Sequence, residues 1–226
     1  LCSFVNFFCK DRNSFILIFC NFGFFIKIQY KMKMNDYIND FTNHLTEAME
    51  IGKSFNLDKS EKKFNNILIC GLGGSGIGGT IVNDIISPDS NIPITSTKDY
   101  NIPNFVDENT LVIASSYSGN TEETIFALEK CIERNAEVCI ITSGGKLKDI
   151  AIEKNFNHII IPGGNPPRAM FGYAFTELFY ALNKYRVIND SFKNDFKNAI
   201  QLLKIEKQDI QKQALLLAEK MYNQTP

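Results

Sequence analysis

The sequence predicts an α/β fold, a three-layer sandwich in which a parallel sheet of about five strands is flanked by helices. Three observations predict it. Short apolar runs recur at Ile67–Cys70, Leu111–Ala114, Val138–Thr142 and Asn157–Ile161, with the length and β-branched content of buried strands. Each run opens into small residues: Gly71–Gly79, Ser115–Thr121, Ser143-Gly144-Gly145 and Pro162–Asn165. Each of those turns leads into a segment of helical spacing, such as Glu122–Arg134 with Ile125, Leu128 and Ile132 on one face. Strand, turn and helix in this order imply parallel strands, and ligands of such sheets bind beyond the strands' carboxyl ends.

Composition narrows the function classes. The 226 residues allow one large domain or one and a half. An apolar content of 44% with 22% charged residues suits a packed globular chain rather than a disordered one. A formal charge of −1, with Lys and Arg scattered, argues against a nucleic-acid surface. The six cysteines form no C-x-x-C pair, and Cys70 and Cys139 fall in strand-like runs. A reducing cytoplasmic setting follows as an expectation. His44 and His158 lie far apart in sequence, which disfavours a His-based metal site.

Residues 1–33 do not share the pattern. They begin with Leu1, are crowded with Phe, Ile, Asn, Cys and Lys, and show no period. They are expected to be a non-domain extension, upstream sequence read through before a start at Met34 or Met32. The rival is a membrane anchor; Asn21 splits its apolar stretch below the roughly 20 residues a span needs. A signal peptide fits poorly, lacking a basic start and a small-residue cleavage site.

Met34–Gly52 carries Tyr37, Ile38, Phe41, Leu45, Ala48 and Met49 at helical spacing, with Gly52 as its stop. A polar connection, 55–63, leads to the first strand and its glycine run. Gly71-x-Gly73-x-x-Gly76 satisfies the dinucleotide fingerprint between a strand and a helix. That fingerprint also wants an acid closing the next strand. The candidate, Ile92–Thr95, ends in Ser96-Thr97-Lys98, and Asp99 comes late. A tight structural turn is the plainer reading, but the glycines of 71–79 are more than a turn needs.

The hydroxyl-rich turn 115–121 places Ser116, Ser118, Gly119 and Thr121 before a helix. A helix amino end offers unpaired N–H groups and partial positive charge, and hydroxyls add donors without charge, which suits phosphate. The plainer reading makes Asn120 an N-cap and Glu123 the other half of a capping box. That leaves Ser116, Ser118 and Thr121 unexplained. After the last strand, Pro166-Pro167 stiffen the chain before Arg168, which is either a surface charge or a guanidinium held for an anion. Ala169–Tyr185 then shows a wide apolar face. Residues 191–221 read as one or two amphipathic helices.

Together, Gly71–Gly79, the Ser-Tyr-Ser-Gly-Asn-Thr-x-Glu-Thr stretch at 116–124 and Pro166–Phe171 resemble the sugar isomerase (SIS) domain, a flavodoxin-like fold. More narrowly they resemble the bifunctional phosphoglucose/phosphomannose isomerase family. The resemblance implies a first SIS domain over 34–190 and a helical linker over 191–226, leading to a second SIS domain beyond this fragment. It implies that Ser75, Ser116, Ser118 and Thr121 hold a sugar phosphate, that Gly73 and Gly74 bring backbone close to substrate, and that Arg168 faces the enediolate. It implies a homodimer, with no metal or redox cofactor and no nucleic-acid or membrane partner. The family's base and ring-opening histidine would lie beyond Pro226. Glu122 and Glu123 are poor substitutes, since carboxylates are favoured at a helix amino end regardless. The implied reaction is aldose–ketose isomerisation of hexose 6-phosphates. A non-catalytic phosphosugar-binding module and a nucleotide oxidoreductase remain the alternatives.

Overall fold

The computed structural model describes residues 33–56 and 62–222, together with strands near the amino terminus. The chain divides into two units, 1–40 and 41–226. In the first, β1 (Phe4–Val5), β2 (Phe15–Phe19) and β3 (Phe25–Gln29) pair antiparallel in that order, and α1 spans Met34–Asn39. The helix expected over Met34–Gly52 is therefore two, with Asp40 ending α1 and α2 running Phe41–Ser54.

The second unit holds the predicted parallel sheet of five strands: β4 (Asn66–Cys70), β5 (Ile94–Thr97), β6 (Thr110–Ser116), β7 (Glu137–Thr142) and β8 (Asn157–Ile160). Their spatial order is β5-β4-β6-β7-β8, all parallel. β5 begins two residues later than the sequence suggests, because Pro93 cannot donate to a ladder; its carbonyl instead accepts from Ile67 N–H. The order reverses at β4, so the crevice between the ends of β4 and β6 is the switch point where open α/β sheets bind ligands.

Alternating side chains build two cores. Leu68, Cys70, Val112, Ala114, Val138 and Ile140 pack under α4 (Glu122–Glu133) and α5 (Gly145–Glu153) with Leu128, Cys131 and Leu147. The opposite face is covered by α3 (Gly73–Ile86) and α6 (Phe171–Lys184). Outside α6 lies α2, where Gly52 lets the Tyr180 ring lie on the backbone and Gly172 leaves room for Phe41 and Leu45. Residues 191–221 form two helices, α7 (Phe192–Ile205) and α8 (Lys207–Met221). α7 adds Phe192 and Phe196 to an aromatic cluster with Phe175 and Phe179. α8 buries none of its residues, and Ile210, Leu215, Leu216, Leu217 and Met221 are exposed. No helix of the described residues is long and apolar enough to cross a membrane.

Candidate phosphate-binding crevice

Two of the turns singled out in the sequence meet at the switch point. The first follows β4. Gly71 N–H donates to Thr97 O (3.1 Å), and a side chain on Gly71 would press on Ser115 O at 3.0 Å and Ser75 C at 3.1 Å. Ser75, in the first turn of α3, and the end of β6 therefore flank the same glycine. Ser75 is buried, whereas Gly73 and Gly74 are exposed with open space where a Cβ would stand. Gly73 has φ 57, a conformation that favours glycine and turns the chain into α3. The N-cap, Leu72, makes no side-chain cap bond.

The second turn follows β6 and is tied from within. Ser116 Oγ and Thr121 Oγ1 are 2.7 Å apart, and Gly119 N–H donates to Ser116 Oγ (3.2 Å). Ser118 is exposed at the tip, its Oγ accepting from Asn120 N–H (3.2 Å). Ser116 is buried and Thr121 half-buried.

The capping reading of Asn120 does not hold. Thr121 is the N-cap of α4 and makes no side-chain cap bond. Asn120 Oδ1 instead accepts Lys146 N–H (2.9 Å) from the first turn of α5, which follows the third small-residue turn, and Leu147 N–H donates to Gly119 O (3.0 Å). Gly119 has φ 69 and lies so close to Gly144 that a Cβ would overlap its carbonyl oxygen. Asn120 thus braces one turn on the next, a role whose only sequence signal was the recurrence of small residues after successive strands.

Arg168 is in neither turn. It is exposed on a 3-10 turn, Pro167–Ala169, after edge strand β8. Its loop nevertheless folds back toward β6. Asn165 N–H donates to Tyr117 Oη (3.1 Å), and Ser143 Oγ donates to Tyr117 O (2.6 Å). Beyond the loop, Phe171 reaches the Gly78 side of α3. Tyr117, which the sequence reading passed over as one more hydroxyl, is buried and links the two loops.

Other candidates are placed elsewhere. Glu122 is exposed and Glu123 half-buried in the first turn of α4. Asp99, the late acid of the dinucleotide fingerprint, lies past the end of β5 and accepts its own neighbour's N–H, Tyr100, at 2.6 Å. His44 is buried on α2 beside Tyr173, and His158 Nδ1 lies 2.8 Å from Phe156 O; both are structural. Among the described residues the carboxyl most displaced from ordinary behaviour is Glu177 on α6, pushed up to about 9 by burial, with neither oxygen hydrogen-bonded.

The SIS domain family model matches residues 62–182, the span that holds both turns and the Arg168 loop. The chain belongs to the SIS domain family. It is 35% identical over 199 residues to a bifunctional phosphoglucose/phosphomannose isomerase of Caldicellulosiruptor bescii, covering 85% of this chain and 59% of that protein. It is also 36% identical over 143 residues to a D-glucosamine-6-phosphate 4-epimerase of Sulfolobus acidocaldarius, covering 60% of this chain and 45% of that protein. The chain thus spans about half the length of these relatives. In fold it resembles the C-terminal domain of glucosamine-fructose-6-phosphate aminotransferase from Francisella tularensis, with TM-score 0.68, 16% identity, and coverage of 86% of this chain and 61% of that one.

Proposed function

We propose that the crevice binds the phosphoryl group of a hexose 6-phosphate and that the whole protein interconverts glucose 6-phosphate or mannose 6-phosphate with fructose 6-phosphate. The observation that carries this reading is the meeting of two uncapped helix amino ends, α3 and α4, with a hydroxyl-lined turn at the sheet's switch point. In this reading Ser75, Ser116, Ser118 and Thr121 donate to the phosphate, and the open Gly73 and Gly74 let backbone approach the ligand.

Aldose–ketose isomerisation moves a proton between C2 and C1 while the carbonyl moves from C1 to C2. A base removes the C2 proton, the C1 oxygen carries the developing negative charge, a proton passes from the C2 hydroxyl to the C1 oxygen, and the base returns its proton at C1. Arg168 stabilises that anion. The base comes from a carboxylate outside this span of the longer relatives. Two such chains associate as a dimer in the cytoplasm, and the exposed leucines of α8 support self-association.

A second reading, a non-catalytic phosphosugar-binding module, is favoured by one observation. The carboxyl whose proton affinity is raised, Glu177, lies on the buried face of α6 rather than at the crevice. Calorimetric titration with fructose 6-phosphate and with NAD tests the binding site. Tight uptake of fructose 6-phosphate, lost in Ser118→Ala, is expected; preference for NAD overturns the phosphosugar reading. Isomerase assays on the gene product extended past Pro226 separate enzyme from module.

A further inference from the structure

We infer that Lys98 is a ligand-positioning residue, which supplies the positive charge on the glycine-turn side of the crevice. The inference rests on the phosphosugar reading above. Lys98 follows the last residue of β5 and is exposed, and its Cγ lies 3.2 Å from where a Cβ on Gly76 would stand. The missing side chain at Gly76 gives the lysine stem room beside the first turn of α3. Lys98 also lines a narrow cleft with Gly71, Thr97, Asp99, Glu123 and Thr124, a neighbour of the candidate crevice that touches it at Gly71.

Charge bookkeeping makes this position consequential. A phosphate monoester carries about −1.5 to −2 charges near neutral pH. The cradle of Ser75, Ser116, Ser118 and Thr121 is neutral, and Glu122 and Glu123 stand in the first turn of α4. The ligand therefore needs a cation. Lys146 is paired with Glu129 (3.0 Å), while Lys130 bonds Tyr100 O (2.9 Å) and Asn101 Oδ1 (3.1 Å). Asp99 is turned onto Tyr100 N–H rather than onto Lys98. Among the described residues neither Lys98 nor Arg168 has an ion pair or a side-chain hydrogen bond. Arg168 approaches from beyond β8, and Lys98 stands on the β5 side of the glycine turn. An ammonium on a flexible stem acts on phosphate as a point charge, without the fixed fork of arginine.

The test is calorimetric titration of the full 226-residue chain with fructose 6-phosphate and with inorganic phosphate, at low and high NaCl. Lys98→Met is expected to weaken both ligands roughly tenfold to a hundredfold. It should also flatten the salt dependence of binding, a readout that a packing role would not move. Lys98→Arg should restore most of both, with circular dichroism melts of all variants unchanged. Lys98→Gln repeats the test should the Met variant melt early. Unchanged affinity and salt dependence on loss of the charge overturn the role of Lys98 while leaving the site intact. No binding of either ligand by the unsubstituted chain overturns the reading of the site, and this inference with it.

Discussion

Tyr117 Oη accepts the backbone N–H of Asn165, 48 residues later, at 3.1 Å, joining the turn after β6 to the loop that carries Arg168. Through this bond a residue following the edge strand is held toward the centre of the sheet. Tyr117→Phe removes the acceptor and leaves the ring. The expected loss of stability is about 1 kcal/mol, with faster hydrogen exchange at the Asn165 amide. Unchanged exchange there would show that the loop is held by other contacts.

Gly119 is the position of the hydroxyl turn that tolerates least. Its φ of 69 is strained for any L-residue, and a Cβ would overlap the Gly144 carbonyl oxygen. Gly119→Ala is expected to cost roughly 2–4 kcal/mol in urea unfolding and to abolish phosphosugar binding, because the brace from Lys146 N–H to Asn120 must move. Gly74→Ala serves as the control, since its Cβ would meet open space. It should fold normally and impair only ligand binding.

Thr121 Oγ1 closes the ring of donors with Ser116 Oγ. Thr121→Val keeps shape and branching but removes that hydroxyl. Ser116 Oγ retains the Gly119 N–H, so stability should change by less than about 1 kcal/mol. Affinity for fructose 6-phosphate should fall several-fold in titration. A variant that binds as well as the parent would remove Thr121 from the phosphate site.

Glu177 makes stability depend on pH. Burial raises its carboxyl from the ordinary 4.5 to about 9. Between those values the folded chain keeps the proton and the unfolded chain has released it, so stability falls as pH rises, by at most about 1.4 kcal/mol per unit. Cys139 from β7 and Tyr180 one turn along α6, both neutral in this range, feel its charge. Glu177→Gln should abolish this slope in denaturant melts at pH 5, 7 and 8.5. Equal pH dependence in both proteins would mean that the carboxyl finds a partner.

The elements were legible wherever local pattern and packing agreed. Leu111–Ala114 is buried on both faces and reads as an unbroken apolar run for that reason. Pattern misled where one residue overrode it: Pro93 moved the start of β5, and Asp40 split the first predicted helix. At the candidate site, the crowding of Ser116, Ser118 and Thr121 stood out in the sequence because it exceeds what a turn requires, whereas Ser75 entered only through the family resemblance. The partners of Asn120 and Tyr117 were not. Each is chosen by a loop 26 to 48 residues away, and no local periodicity encodes that distance.

The sequence by itself determined the alternation of strand, small-residue turn and helix, because apolar period and glycine placement are local properties of the chain. Only the tertiary structure decided which turns share a crevice. That depends on strand order, and β4 lying between β5 and β6 follows from how the helices cover both faces of the sheet. The same order sets Lys98 beside the glycine turn and brings the Arg168 loop back over Tyr117, juxtapositions fixed by packing rather than by spacing along the chain.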